Sequence, residues 1–179
     1  MANFETVVNT ENIVSTGLGY GFAEEQGLRG DVKITVFDEN GNIIETREGR
    51  NLIVNNGKQL LAKRIGGAAD AAVTHMAIGT GGAASETPFT PYTPAATNTA
   101  LGTEVAGQRQ AVTVTYPATN QVKFTATFTS TNVNNNVNEV GLFNASTAGT
   151  MFARYCFATI YLKNDITASL QVDWTITFS

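Results

Sequence analysis

Apolar and polar residues alternate most regularly near the end of the chain, where Leu170, Val172, Trp174, Ile176 and Phe178 interleave with Gln171, Asp173, Thr175 and Thr177. A period of two places the first set on one face of a strand, so this run predicts a half-buried β-strand with Trp174 in the core. Val32, Ile34 and Val36 alternate in the same way with Lys33 and Thr35, and the turn Asp38-Glu39-Asn40-Gly41 leads into Ile43, Ile44 and Thr46. That is a hairpin, with Asn-Gly where positive φ is needed. A second hairpin follows from Val112, Val114 and Tyr116, a turn over Pro117 to Asn120, and Val122, Phe124, Ala126 and Phe128. Shorter strands are expected at Asn51-Leu52-Ile53-Val54, at Val73 to Gly79, and at Val140 to Phe143 after an Asn-rich tip from Asn132 to Asn138. Met151 to Leu162 is apolar on both faces, as in a central strand covered on each side.

One segment has helical spacing. Asn55 or Asn56 offers a capping side chain, Leu60, Leu61 and Ile65 form a short apolar stripe, and Gly66-Gly67 ends it. Many short strands and one helix predict a mainly β chain: an antiparallel β-sandwich, Greek-key or jelly-roll-like, with one short α-helix packed against it.

Two stretches lack a steady period. Residues 1–30 are polar and punctuated by glycine, with Val7, Val8, Ile13, Val14 and Phe22 irregularly spaced, and are expected to form an extended arm before a single sandwich domain at 31–179. Residues 83–102 form a long Pro-, Thr- and Ala-rich loop, in which Phe89 and Tyr92 stand among Pro88, Pro91 and Pro94. A structureless loop of that length is commonly functional, and Phe22, Phe89 and Tyr92 are the residues expected to contact a partner. The pattern leaves open whether the loop meets another chain or wraps its own domain.

Length and composition narrow the classes. At 179 residues one core is expected, and the last strand leaves no room for a further domain after it. Charged residues make up 15%, below the usual quarter or so, and Thr, Asn, Ala and Gly take their place. Such a neutral polar surface suits both a Thr-rich β-domain and one whose surface is covered by partners. A formal net charge of −4 with scattered basic residues argues against nucleic acid. Lys58, Lys63 and Arg64 fall together, but as the solvated face and favourable C-terminal charges of the helix. No apolar run reaches the length of a membrane span, and the first residues lack the form of a signal peptide, so synthesis and folding in a cytoplasm are expected.

The chemistry-bearing residues are few. One cysteine, Cys156, and one histidine, His75, exclude a disulfide framework and sites built from several Cys or His ligands. His75 lies in the strand run VTHMAIG, and Cys156, between Tyr155 and Phe157, reads as a small buried hydrophobe. Glu104, Glu139 and Asp173 are carboxylates without a pattern, Glu139 being expected at an edge or in a salt bridge with Arg109 or Arg154. Gly79-Thr80-Gly81-Gly82 lacks the Lys-Ser or Lys-Thr of a phosphate cradle and reads as a turn. Asp38 to Asn42 is hairpin chemistry rather than a calcium loop, and Asn144-Ala145-Ser146 matches a glycosylation acceptor, which has no meaning without secretion. No catalytic residue, metal ligand or cofactor is assigned.

The order of segments ENGNIIETREGRNLIVNNGKQLLAKRI, THMAIGTGG, ATNTALGTEV, VNEVGLFNAS and SLQVDWTITF resembles that of tailed-bacteriophage virion structural proteins, and its central pieces are similar to the amino-terminal domain of tail-collar fibre proteins. The resemblance covers roughly Gly30 to Phe178. It implies a non-enzymatic virion component. Because the chain stops where a fibre would continue into its shaft, it points to a capsid decoration (cement) protein on the head surface, assembled in the host cytoplasm. The partner would be the major capsid protein, and the protein a homo-oligomer, commonly a trimer. A tail collar, adaptor or short fibre protein bound to tail proteins is the alternative, and a module binding host glycan is the second.

Overall fold

The computed structural model describes residues 27–86, 89–133, 135–162 and 169–179. It is mainly β, with antiparallel sheets, as the alternation requires. Sheet A is built on β1 (Leu28–Phe37) and β2 (Ile43–Arg50), β8 (Thr113–Thr115) and β9 (Gln121–Thr129), and β12 (Ser169–Phe178), in the order β2-β1-β12-β9-β8. Sheet B contains β3 (Leu52–Ile53), β4 (His75–Gly79), β7 (Gln110–Ala111), β10 (Asn135–Phe143) and β11 (Met151–Leu162), in the order β3-β11-β10-β4-β7. Each sheet hands its edges to the other: β2 passes through Asn51 into β3, and β7 passes through Val112 into β8. The sandwich is thus laced at both sides.

The strand with the clearest alternation sits at the centre of sheet A. Leu170, Val172, Trp174 and Ile176 point inward, each essentially inaccessible to solvent, opposite Val32, Ile34 and Val36 of β1 and Phe124, Ala126 and Phe128 of β9. From sheet B, Met76, Ile78, Val140, Leu142, Phe152 and Phe157 complete the same core. Trp174 also donates from Nε1 to Asn51 Oδ1 at 3.0 Å, so the central strand is tied to the residue where the chain changes sheets.

The first helix, α1 (Asn55–Ile65), differs from expectation in two respects. Its N-cap is Val54, without a side-chain bond, and the Asn55 amide is satisfied instead by the Ala96 carbonyl at 2.8 Å, a partner distant in sequence. Ile65 is 79% exposed, so the buried contacts come from Leu60 and Gly57, whose missing Cβ leaves room for the Phe152 carbonyl of β11. The C-terminus is as expected: Gly67 adopts φ of +79°, and Gly67 and Ala68 donate back to Arg64 and Lys63. A further single turn, α2 (Ser130–Val133), overlaps only the start of the expected Asn-rich tip, and from Asn135 that stretch is already strand β10, which begins five residues before the expected Val140.

Two further boundaries move. β1 starts at Leu28, opposite Phe178, so residues 28–30 belong to sheet A rather than to an arm. Residues 1–26, which include Phe22, lie outside the described residues. The stretch expected to be a structureless loop from 83 holds a small hairpin, β5 (Ala83–Glu86) with β6 (Phe89–Pro91). Prolines at its margins are compatible with an edge strand, which composition alone did not distinguish from a loop.

Candidate functional site

Residues Glu139, Gly141 and Phe143 of β10 stand opposite Cys156, Arg154 and Met151 of β11 and Gly79, Ala77 and His75 of β4, all on the face of sheet B away from the core. Strand parity alone would send them to solvent. They are covered instead by the segments 79–82 and 92–105. Glycine makes the close cover possible: a Cβ at Gly82 would overlap the Asn138 carbonyl, and one at Gly79 would meet the Glu139 side chain and the Thr103 carbonyl. The GTGG run is therefore neither a phosphate cradle nor merely a turn. It is backbone laid flat on a sheet.

At the centre of this covered face Glu139 and Arg154 form an ion pair with 0% and 3% side-chain exposure, the Nη2–Oε2 distance being 2.6 Å. Glu139 Oε1 accepts from the Gly81 and Thr103 amides, both at 2.9 Å, and Oε2 accepts from the Gly102 amide at 3.0 Å and from Arg154 Nε at 3.0 Å. Arg154 donates further to Asn98 Oδ1 at 3.1 Å and to the Gly81 carbonyl at 3.2 Å. Burying two charges is expensive unless each is paired and hydrogen-bonded throughout, and here both are. Of the two partners expected for Glu139, the structure selects Arg154. The position is a covered sheet centre rather than an edge.

Tyr92 lies over this pair, its ring centroid 4.7 Å from the Arg154 guanidinium carbon, while its side remains open to solvent at 38% exposure. Its amide donates to the Gly82 carbonyl at 2.7 Å, and Asn98 Oδ1 accepts from the Ala95 amide at 2.9 Å, which fixes the loop on both sides of the ring. No charged residue stands between Glu86 and Glu104. Tyr92, Thr97, Asn98, Thr99 and Arg154 border a shallow concavity of about 390 Å³. Phe89 is in β6, opposite Glu86, and its side chain is not among the described ones.

Arg109, the other expected partner, pairs with Glu104 through two bonds of 2.7 and 2.9 Å. Its guanidinium carbon lies 3.8 Å from the Phe143 ring centroid and Nη1 donates to the Ala145 and Ala148 carbonyls, so it fastens the 144–150 turn to the same sheet. Asn144, first residue of the glycosylation-like triplet, serves this turn through a 2.6 Å bond from the Thr150 amide.

The remaining reactive side chains are dispersed. His75 contacts the Thr74 hydroxyl at 2.9 Å and stands opposite Phe143, whereas Cys156 stands opposite Glu139, four positions along β10 and hence roughly 13 Å away. Burial pushes the Cys156 thiol up to about 11, more than the nearby Arg154 lowers it, so it is protonated at neutral pH. Asp173 belongs to sheet A. Partial burial would raise its carboxyl, but bonds from Thr125 and Gln171 and the charge of Lys123 outweigh it and hold the group below its usual range. Among the described residues no group of three or more His, Cys, Asp or Glu side chains is placed to hold a metal ion, and no helix is long and apolar enough to cross a membrane.

One surface was not anticipated. Between α1 and the β8–β9 end of sheet A lies an apolar groove of about 670 Å³ lined by Leu61, Val73, Val114, Tyr116, Val122 and Phe178, among others. Tyr116 is 77% exposed on its rim. The alternation of Val112, Val114 and Tyr116 marked these residues as one apolar face of a hairpin, and that is the signal that could have found the groove. It did not reveal that the sandwich ends before covering them.

No protein-family model, curated protein or solved structure matches this chain.

Proposed function

We propose that this chain is a non-enzymatic structural protein of a bacteriophage particle, a capsid decoration protein that binds the assembled shell through the Tyr92 loop. The observation that carries the interaction role is the pairing of a neutral, aromatic-bearing surface loop with a buried Glu139–Arg154 clamp beneath it. A loop held before binding loses little conformational freedom on binding, and an uncharged surface with a central aromatic has the chemistry of an interface core. The phage assignment rests on the order of sequence segments.

The test is the copy number of the protein in purified particles, measured by mass spectrometry against the major shell protein. Abundance comparable to the shell supports decoration, a few copies assign the protein to the tail, and absence overturns the virion reading. Tyr92→Ala should reduce its occupancy on particles while leaving its melting temperature within a few degrees. The polar concavity beside Tyr92 favours one further reading, a glycan stacked on the ring. Binding to a glycan array that Tyr92→Ala abolishes would establish that reading in place of the first.

A further inference from the structure

The apolar groove on sheet A is bounded by groups that a folded chain does not ordinarily leave open. Val114, Tyr116 and Phe178 on its rim are 40%, 77% and 41% exposed, and among the described residues the adjacent strand β8 pairs on one side only, with β9. The opposite edge of the sheet is protected differently. There β2 carries Glu45, Arg47, Glu48 and Arg50, and Arg47 reaches across to the Ala158 carbonyl of β11, whereas β8 is Thr-Val-Thr, without charge, proline or bulge. An uncharged β-branched edge beside an apolar groove invites an extended segment.

The start of the described chain lies at the groove itself. Gly27 exchanges two backbone hydrogen bonds with Ser179, of 2.6 and 2.9 Å, and Leu28 stands opposite Phe178, which lines the groove. The 26 residues before Gly27 could span roughly 85 Å if extended, several times what is needed to double back. They contain Val7, Val8, Ile13, Val14, Leu18 and Phe22, and their four glutamates, with no Lys or Arg, account for the whole formal net charge of −4. The charged side chain that lines the groove is Arg64.

We infer that residues 1–26 of the same chain occupy this groove, placing apolar side chains between α1 and the β8–β9 hairpin. A tether that begins at the groove mouth gives the segment an effective concentration in the millimolar range, which a separate molecule must exceed to displace it. The inference stands on the groove and the chain's point of entry, and it is independent of the virion reading.

Hydrogen exchange of the full-length protein, read by mass spectrometry, tests it. Amides within 1–26 should exchange at least about tenfold more slowly than the rates for an unstructured chain. Val114→Asp and, separately, Tyr116→Ser should abolish that protection while β12 amides keep theirs, which shows that the fold persists. Protection should be unchanged over a hundredfold dilution. Unprotected amides in the wild-type chain, or protection untouched by both substitutions, would overturn the inference. Protection that disappears on dilution would overturn it in favour of a segment exchanged between copies.

Discussion

An acid–base pair stands at an outward position on each of the two sheets, and the two pairs compared have opposite characters. On sheet A, Lys123 and Asp173 are 3.6 Å apart on a face open to water, with side-chain exposures of 37% and 19%. On sheet B, Arg154 and Glu139 are 2.6 Å apart and essentially inaccessible. Both pairs occupy outward positions by strand parity. What differs is the cover: sheet A presents a charged surface of Arg29, Asp31, Lys33, Glu48 and Arg50, while sheet B lies under glycine-rich backbone that donates three amides to Glu139. An outward charge is therefore a solvated surface group or the centre of a second layer, according to what the connections between strands lay over it.

Removing Glu139 is the severest challenge to this comparison. Glu139→Ala leaves Arg154 buried without its counter-charge and three backbone amides without an acceptor, and should destabilise the fold by about 3–5 kcal/mol in urea titrations. If the loss is under about 1 kcal/mol, the pair is no keystone. On the inner side of the strand that bears Asp173, Trp174→Ala should also cost about 3–5 kcal/mol, since it empties a core position and releases Asn51. An unchanged melting temperature would refute the burial of that strand. Gly82→Ala should cost about 1–3 kcal/mol, because the new methyl group would push the covering segment off the Asn138 carbonyl.

Asp173→Asn should change stability at neutral pH by under about 1 kcal/mol, as befits a partly solvated pair. Its effect lies in the pH dependence. The Asp173 carboxyl is held below its unfolded value, so its contribution is present above the unfolded pKa and is lost as the pH falls through the folded one. The variant should lose stability less steeply than wild type on the acid side, and parallel acid-denaturation curves would remove Asp173 from the account. The smallest effect concerns Cys156: with the thiol raised to about 11, the folded protein should resist iodoacetamide at pH 8 and react fully once unfolded.

The pattern made the strands of the core legible, and β12 above all, because a strand buried on one face must alternate and Leu170 to Ile176 do so without exception. It also marked the carboxyl end of α1, where Gly67 supplies a backbone conformation that other residues adopt reluctantly. The amino end of the same helix was not legible, since the Ala96 carbonyl that satisfies it lies about forty residues further along the chain. The 83–102 segment was expected to be irregular from its composition, and proved to contain a hairpin and the helix cap. Local composition reports the intrinsic preference of a segment, not the sheet it is laid upon.

For the candidate surfaces the division is similar. The sequence by itself determined the fold class, the inward faces of the strands, the aromatic content of the Tyr92 loop, and the choice of Arg109 or Arg154 as partner for Glu139, because each depends on residue type and short-range spacing. Only the tertiary structure decided that Arg154 is the partner, that a second layer buries the pair, and that the β8 end of sheet A leaves a groove open. Those outcomes depend on which connection crosses which face, and that is fixed by long-range packing among residues whose order along the chain does not disclose it.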